Sequence, residues 1–189
     1  MLLILAALLT MHTAAEAQTE RRIYTQAEQT EAQQRALDKE LQQIQDSLDY
    51  VDAVRALEKL DFVVEADKLV FKYGNSAFVN ATTNFVSLKD SRAVVQIAPF
   101  NGGGPNGVGG ITLEGQASNI KCDTDRKGNT YFTMNVMGAA LSANVSISLT
   151  KGSNYVSVSV DPTFHGNRIT FYGRLISSKR SKVFEGRSL

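Results

Sequence analysis

The sequence has few of the residues from which proteins most often build reactive or metal-binding sites. It contains no tryptophan, one cysteine (Cys122) and two histidines. A single cysteine cannot form an internal disulfide, so packing alone must stabilise the fold. Protein zinc sites usually need several His or Cys ligands, and one of the two histidines, His12, lies in a segment that we expect to be removed. The composition therefore predicts no metal site.

An excess of one charge is also lacking. The 20 basic residues are balanced by 19 acidic ones, which gives a formal net charge of +1, and the lysines and arginines are scattered. A protein that follows a nucleic-acid backbone needs a basic patch or stripe, so we predict no nucleic-acid partner. The length of 189 residues and the hydrophobic fraction of 43% are typical of a single globular domain.

The clearest apolar run lies at the start of the chain. Leu2–Leu9 has the length of a signal-peptide core and is too short to span a bilayer as a helix. Small residues at Ala15 and Ala17 predict cleavage after Ala17, although no Lys or Arg follows Met1. The new terminus would be Gln18 and not the cysteine that an acyl anchor requires. We therefore predict a periplasmic or secreted protein with no stable membrane insertion.

The segment from Ala27 to Leu60 contains no Gly or Pro and predicts one long helix. Five apolar residues recur there at alternating spacings of four and three and form one stripe: Leu37, Leu41, Ile44, Leu48 and Val51. Such a stripe resembles a coiled-coil seam, and the alternative is a helix that docks on its own domain. Because Arg55 and Glu58 occupy the next seam positions, we favour docking, and hence a monomer over a coiled-coil dimer.

From Phe62 onward the apolar period changes to two, which is the period of half-buried strands. The phase of this pattern shifts near Asp67, which indicates a bulge. Strands are predicted at 62–66, 69–73, 84–88, 93–98, 111–122, 130–137, 140–150, 155–160 and 168–177. Short turns separate most of them, so neighbouring strands should be antiparallel.

The predicted fold is mainly β: an antiparallel meander of about eight strands, closed as a barrel or folded as a sandwich, preceded by one long N-terminal helix. We expect the helix to lie against an open edge or mouth of the β structure. The predicted domains are a signal peptide at 1–17, a polar segment and amphipathic helix at 18–60, and an antiparallel β domain at 61–189.

The loop between two predicted strands, Asn101–Gly110, holds six of the fourteen glycines. Gly102–Gly107 formally matches the dinucleotide fingerprint, but a strand follows at Ile111 where that motif needs a helix, so we predict no nucleotide cofactor. The loop is either a wide structural hairpin or a binding loop for a protein, a glycan or a small apolar ligand. The candidate binding residues are Phe100, Asn101, Gly102, Gly103, Gly104, Pro105, Asn106 and Gly107.

The glycines of this loop are expected to differ in what they tolerate. At least one of Gly109 and Gly110, which adjoin the next strand, should hold a backbone angle that alanine cannot adopt. The tip glycines 102–104 should accept a methyl group with little loss of stability.

Two weaker patterns in the sequence resemble chemical sites. Asp123–Gly128 begins like a calcium loop, but Lys127 stands where a third oxygen ligand belongs and Met134 where the bidentate Glu belongs, so a hairpin turn is favoured. Cys122, His165 and Asp161 could in principle form a nucleophilic triad. The sequence has no nucleophile elbow or cysteine signature to support it, and we predict that neither Cys122 nor His165 is catalytic.

Several short strings together resemble a known family: Ala56–Glu58, Asp61–Ala66, Asn80, Asn84–Ser87, Gly104–Ile111, Ser118–Lys121, Asn167–Thr170 and Val183–Gly186. They are similar to the domain of unknown function family 4251, which consists of short exported proteins mostly from Bacteroidota. The resemblance covers roughly Val54 to Gly186, and the glycine string is its most specific part. It implies an exported protein and carries no activity, ligand or catalytic residue.

These observations favour an exported non-enzymatic binding or structural protein of the cell envelope, whose partner or ligand the sequence does not identify. One alternative is a periplasmic hydrolase without a recognisable motif, which two carboxylates converging in one pocket would support. Another is a small outer-membrane β-barrel, whose strands also alternate.

Overall fold

The computed structural model describes residues 26–99, 103–139, 142–163 and 167–188. Within these residues one helix precedes nine strands: α1 Gln26–Glu58, β1 Asp61–Phe71, β2 Ser76–Phe78, β3 Phe85–Lys89, β4 Arg92–Ile97, β5 Ile111–Thr124, β6 Thr130–Met137, β7 Ser142–Leu149, β8 Tyr155–Pro162 and β9 Ile169–Ser177. The predicted signal peptide, the candidate residues Phe100, Asn101 and Gly102, and His165 lie outside the described residues.

The strands form a closed antiparallel barrel. Each of β3 to β9 pairs with its neighbour in sequence, and β1 pairs with both β3 and β9, which closes eight strands into a ring. The ninth strand, β2, is an addition that pairs with the second half of β1. The predicted mainly-β meander with one N-terminal helix is confirmed, and of the two closures left open the barrel is the one formed. The short β2 was not predicted.

The barrel interior is packed with apolar side chains that alternate with outward polar ones. In β7 the inward residues Ala143, Val145, Ile147 and Leu149 are buried, and Asn144 and Ser146 between them are exposed. The rings of Phe62 and Phe132 meet edge to face with centroids 5.3 Å apart. The largest fully buried side chains include Phe62, Phe85, Phe132, Phe171, Leu57, Leu69, Leu88, Met134, Ile147, Leu149 and Leu175.

A β-bulge at Asp67 bends the first strand. The register of β1 against β9 shifts between Ala66 and Lys68, which confirms the phase shift predicted from the apolar pattern. Opposite the bulge, Gly173 lies so close to β1 that a Cβ atom there would be 2.0 Å from the Glu65 carbonyl oxygen. The bulge lets β1 bury apolar residues on the inner face both before and after it.

The chain divides into two compact units, one up to Leu41 and one from Gln42 onward. In the first, the described residues 26–41 are the N-terminal part of α1. Side-chain contacts one turn apart stabilise this part, for example Gln34 Nε2 to Asp38 Oδ1 at 2.9 Å. The side chains of Leu37 and Leu41 are 50% and 55% exposed.

In the second unit, the remainder of α1 caps one mouth of the barrel. Its contact residues join the barrel core: Tyr50, Ala53, Val54, Ala56 and Leu57. The Tyr50 hydroxyl donates a hydrogen bond to the Gly128 carbonyl in the turn between β5 and β6. Docking of the helix on its own domain is therefore confirmed.

The face through which the helix docks differs from the apolar stripe seen in the sequence. Ile44, Leu48 and Val51, the stripe residues of this unit, are 50% to 58% exposed. Where the helix reaches the barrel, the stripe positions are taken by Arg55 and Glu58, so the stripe faces water. Small residues at Ala53 and Ala56 instead let the helix backbone approach the strands. The helix therefore docks through a face other than its most regular apolar stripe.

Candidate functional site

The glycine loop joins β4 to β5 at the end of the barrel away from α1, and Asn106 holds it closed from inside. The Asn106 side chain is only 3% exposed. Its Oδ1 accepts hydrogen bonds from the amides of Val108 and Gly110, both at 3.0 Å, and its Nδ2 donates to Thr112 Oγ1 at 3.2 Å. The Asn106 side chain thus forms the hydrogen bonds that backbone groups would form in a regular turn. Because it is buried, Asn106 fixes the conformation of the loop and adds little to its exposed surface.

Some positions of the loop need glycine because the backbone has a positive φ angle there, or because neighbouring backbone leaves no room for a Cβ atom. Gly109 has a φ angle of +102°, which confirms that one of the two glycines next to β5 adopts a backbone angle closed to alanine. Gly104 also has a positive φ, +71°, and a Cβ atom there would lie 2.6 Å from the Gly110 amide nitrogen. The expectation that the tip glycines accept a methyl group was wrong for both described residues. Gly103 has a φ angle of +75°, which strains alanine, and at Gly104 the loop also folds back on itself.

A C-terminal segment, residues 181–188, forms the second wall of the site, and we call it the strap. It leaves the end of β9 and crosses the outside of the barrel to the glycine loop. The Phe184 amide donates to the Thr82 carbonyl at 2.8 Å, and the Arg187 amide donates to the Asn106 carbonyl at 3.1 Å. Val183 packs on an outward apolar cluster formed by Val63, Phe85 and Val94.

Gln96 is the buried polar centre beneath the strap. Its side chain is fully buried, and each of its polar atoms is satisfied. Nε2 donates to the carbonyls of Thr83 at 2.9 Å and Phe184 at 2.8 Å. Oε1 accepts from Thr112 Oγ1 at 2.6 Å and from the Gly186 amide at 2.8 Å. Gln96, which belongs to β4, therefore joins the strap to β5 and to the turn that precedes β3.

An ion-pair cluster fixes the outer side of the strap. The Arg92 guanidinium contacts both Glu114, with Nε to Oε1 at 2.7 Å, and Glu185 of the strap. Hydrogen bonds from Arg92 lower the pKa of Glu114, and the two carboxylates together raise the pKa of Arg92. Two carboxylates thus do converge, but they converge on a cation that keeps Glu114 ionised. A carboxylate with a lowered pKa is a poor general acid, so the cluster suits anchoring of the strap.

An open groove of about 380 Å³ lies between the loop and the strap. Its lining is Gly104, Pro105, Asn106, Gly107, Val108, Phe184, Glu185, Gly186 and Arg187. Four of the predicted binding residues, 104 to 107, therefore line one cavity. Gly103 is exposed and outside this lining, and the other three candidates are not among the described residues.

The strap residues were not predicted as part of the site. A signal for them exists in β4, where Ala93, Val94, Val95 and Gln96 are all buried. Four successive buried residues mean that both faces of the strand are covered, and this departs from the alternation of a barrel wall. The same region contains Asn84, whose Nδ2 donates to the Ala98 carbonyl at 3.1 Å and whose Oδ1 accepts from the Ala98 amide at 2.7 Å. Several of the strings that carry the family resemblance thus meet around this groove.

The other sequence candidates have structural explanations or stay untested. Asp125 Oδ1 accepts hydrogen bonds from the amides of Lys127 at 2.8 Å and Asn129 at 2.9 Å, so this carboxylate closes the hairpin turn. Cys122 lies in β5 and is exposed. Partial desolvation, with the charges of Glu58 and Asp123, raises the pKa of its thiol, which disfavours the thiolate. Among the described residues no cluster of His, Cys, Asp and Glu has the makings of a metal site.

The chain belongs to the class of closed eight-stranded antiparallel β-barrels, here with a glycine loop at one end. Comparison with known proteins gives the family. The profile of the family described as "Domain of unknown function (DUF4251)" matches residues 45–175. The chain belongs to this family. Its match begins inside α1, earlier than the Val54 inferred from the quoted strings.

A solved structure supports the same assignment. The crystal structure of a DUF4251 family protein from Bacteroides eggerthii is similar to this chain with 41% sequence identity and a TM-score of 0.65. The match covers 78% of this chain and 99% of the other. No curated protein matches the sequence. Within the described residues, no helix has the combined length and apolar character needed to cross a membrane.

Proposed function

We propose that the chain is an exported, non-enzymatic binding protein of the cell envelope, and that it binds its partner in the groove between the glycine loop and the strap. The single observation behind this proposal is the groove itself, which is lined by both segments and remains open. Export rests on the Leu2–Leu9 segment and the Ala15–Ala17 cleavage site in the sequence.

The groove walls suit recognition better than catalysis. Phe184 is 62% exposed and lies beside exposed Pro105 and Arg187, so the groove offers an apolar ring, a rigid ring and a cation. Gly104 and Gly107 leave backbone on the surface without side chains. Nothing in this lining is arranged as a nucleophile with a base, whereas an apolar anchor within a polar rim is a common arrangement in protein interfaces.

Among the partners considered, a protein segment or a glycan fits this groove better than a small apolar ligand. Small apolar ligands are usually held in enclosed cavities that bury most of their surface. The groove is open, and the barrel interior is filled by side chains such as Phe62, Phe132 and Phe171.

The alternative of an outer-membrane barrel is not favoured. The outward faces of strands such as β7 carry Ser and Asn, a pattern opposite to the apolar outer band of a membrane barrel.

The test is recovery of partners from the native cell envelope by the mature protein, residues 18–189. Phe184→Ala should lower recovery at least about tenfold if its ring is an interface anchor. Met137→Ala is the matched control, because Met137 is similarly exposed, at 69%, and lies outside the groove lining. Both variants should keep the melting temperature of the wild type.

Export is tested separately, by expressing the full chain, residues 1–189, in the native host. Intact mass should show a chain that begins at Gln18, and fractionation should place it in the periplasm or the medium. A chain that retains residues 1–17, or equal partner recovery by the Phe184 and Met137 variants, would contradict the proposal.

A further inference from the structure

A row of cations and aromatic rings crosses the outer surface of β2, β1 and β9. In the strand register Lys68 stands directly opposite Phe78 on one side and Tyr172 on the other. Its ammonium lies 5.9 Å from the centre of the Phe78 ring and 5.8 Å from that of Tyr172. At the adjoining turn, Lys72 Nζ lies 5.5 Å from the centre of the Tyr73 ring. We call these five residues the aromatic–lysine patch.

Two rings of the patch are more exposed than the other large apolar side chains of the described residues. Phe78 is 85% exposed and Tyr73 is 81% exposed, while Lys68 is half-buried between its two rings. A cation–π contact at an exposed site contributes only about 0.5–1 kcal/mol and leaves most of each ring in water. Core packing therefore does not account for Phe78, which β2 holds on the outside of the barrel.

The composition of the patch identifies the surface that it fits. Aromatic rings favour the boundary between lipid headgroups and acyl chains, and long lysine side chains extend their charge toward the headgroups while their methylenes lie against apolar groups. Anionic lipids attract lysines near the surface by about 1 kcal/mol each. Both requirements are met within one short hairpin. The nearby acid, Asp67, accepts a hydrogen bond from the Tyr155 hydroxyl at 3.1 Å.

We propose that the aromatic–lysine patch binds reversibly to the surface of an anionic lipid bilayer, with Phe78 and Tyr73 entering the interface and Lys68 and Lys72 contacting the headgroups. An acidic glycan shares the charge chemistry, but it would need hydrogen-bonding partners for its hydroxyls. The patch has such partners in its tyrosine hydroxyls and lysine ammoniums, but its most exposed ring, Phe78, has no polar atom, and this favours the lipid surface. This inference uses a different surface from the groove and does not rest on the proposed function.

The experiment is sedimentation of the mature protein, residues 18–189, with lipid vesicles. We expect binding to vesicles of phosphatidylcholine mixed with phosphatidylglycerol, little binding to pure phosphatidylcholine, and loss of binding at high salt. Phe78→Ser and Tyr73→Ser should each weaken binding to the mixed vesicles. Lys68→Gln and Lys72→Gln should each lower the affinity about fivefold, the factor that corresponds to 1 kcal/mol per lysine.

Tyr131→Ser supplies the matched control. Tyr131 is also an exposed aromatic residue, at 48%, but it lies at the start of β6, at the helix-capped end of the barrel. It should bind vesicles like the wild type. Unaltered melting temperatures will show that the hairpin variants are folded.

Two results would overturn the proposal. One is absence of binding to the mixed vesicles, and the other is equal weakening by Tyr131→Ser and Phe78→Ser. If vesicle binding is absent and the protein is retained on an acidic polysaccharide, with retention lost in the patch variants, the patch is assigned to a glycan.

Discussion

The two ends of the barrel are closed by different physical means. At one end the second half of α1 covers the mouth with Ala53, Ala56 and Leu57, which are buried against apolar strand residues. At the other end the glycine loop and the strap are held by Gln96 and Asn106 through hydrogen bonds to backbone groups. The first end depends on apolar area, and the second depends on satisfying buried polar atoms.

This difference explains why the open groove occurs at the loop end. Apolar packing favours filled space, because each unfilled methylene volume costs contacts. A hydrogen-bonded loop can instead hold a fixed shape with an unfilled surface beside it, because its stability resides in a few directional bonds. We therefore expect substitutions at the helix end to change stability alone, and those at the loop end to change stability and the groove together.

The largest effect is expected at the helix-capped end. Leu57 is fully buried, so Leu57→Ala should lower the free energy of unfolding by about 3 kcal/mol through lost burial and a cavity. Leu48→Ala, on the same helix at 58% exposure, should stay within about 0.5 kcal/mol of the wild type. Urea denaturation measures both. An equal and concentration-dependent cost at Leu48 would show that a second copy covers the stripe.

A somewhat smaller loss of stability is expected on substitution of Gln96, the buried polar residue at the loop end. Gln96→Leu keeps the volume but leaves the Gly186 amide and the Thr83 and Phe184 carbonyls without their partner, which should cost about 2–3 kcal/mol. Amide hydrogen exchange at Gly186 should accelerate more than exchange in the barrel strands. Gln116→Leu, at an exposed position, is the control and should be near neutral. Unchanged exchange at Gly186 would show that Gln96 does not hold the strap.

A comparison of Gly103 with Gly104 distinguishes the cost of a positive φ angle from the cost of a steric clash. Gly103 and Gly104 have nearly equal φ angles, +75° and +71°, but only at Gly104 would a Cβ atom meet neighbouring backbone. Gly103→Ala should therefore cost about 1 kcal/mol, and Gly104→Ala should cost about 2 kcal/mol. Thermal melting of the two variants gives the comparison directly. Equal melting temperatures would mean that the loop relaxes without cost at Gly104.

The sequence predicts those parts of the molecule that depend on local patterns, and not those that depend on contacts between distant segments. The helix and the barrel strands were predicted because apolar periods of 3.6 and two are local properties of the chain. The phase shift at Asp67 was predicted for the same reason. The docking face of α1 was not, since the exposed stripe has a stronger apolar period than the face containing Ala53 and Ala56, whose role depends on close approach.

Of the two walls of the candidate site, the sequence predicted only the glycine loop. Glycine content marked the loop, and residues 104–107 do line the groove. The other wall is the strap, which reaches the loop from a distant part of the chain through contacts such as that of the Gly186 amide with Gln96. No short-range pattern encodes such a contact. The sequence of β4 contains three consecutive apolar residues, 93–95, which is consistent with burial of both faces, but this run alone does not say which segment covers the outer face.

The smallest effect is expected from the ion pairs on the outer side of the strap, and it depends on pH. Hydrogen bonds from Arg92 hold the pKa of Glu114 below its ordinary value of 4.5. Its contribution to stability is therefore fully present above pH 4.5 and is lost as the pH falls through the lowered pKa. Since the Glu114 side chain is 40% exposed, solvent screening should limit this contribution to about 1 kcal/mol or less.

Glu114→Gln tests this contribution. The difference in unfolding free energy between the variant and the wild type should be measurable at neutral pH and should vanish at a pH well below 4.5, where both side chains are uncharged. High salt at neutral pH should also reduce the difference, because the pair is exposed to solvent. A difference that persists at low pH would show that Glu114 acts through packing and not through its charge, and the ion-pair contribution to the strap would then come from Arg92 and Glu185 alone.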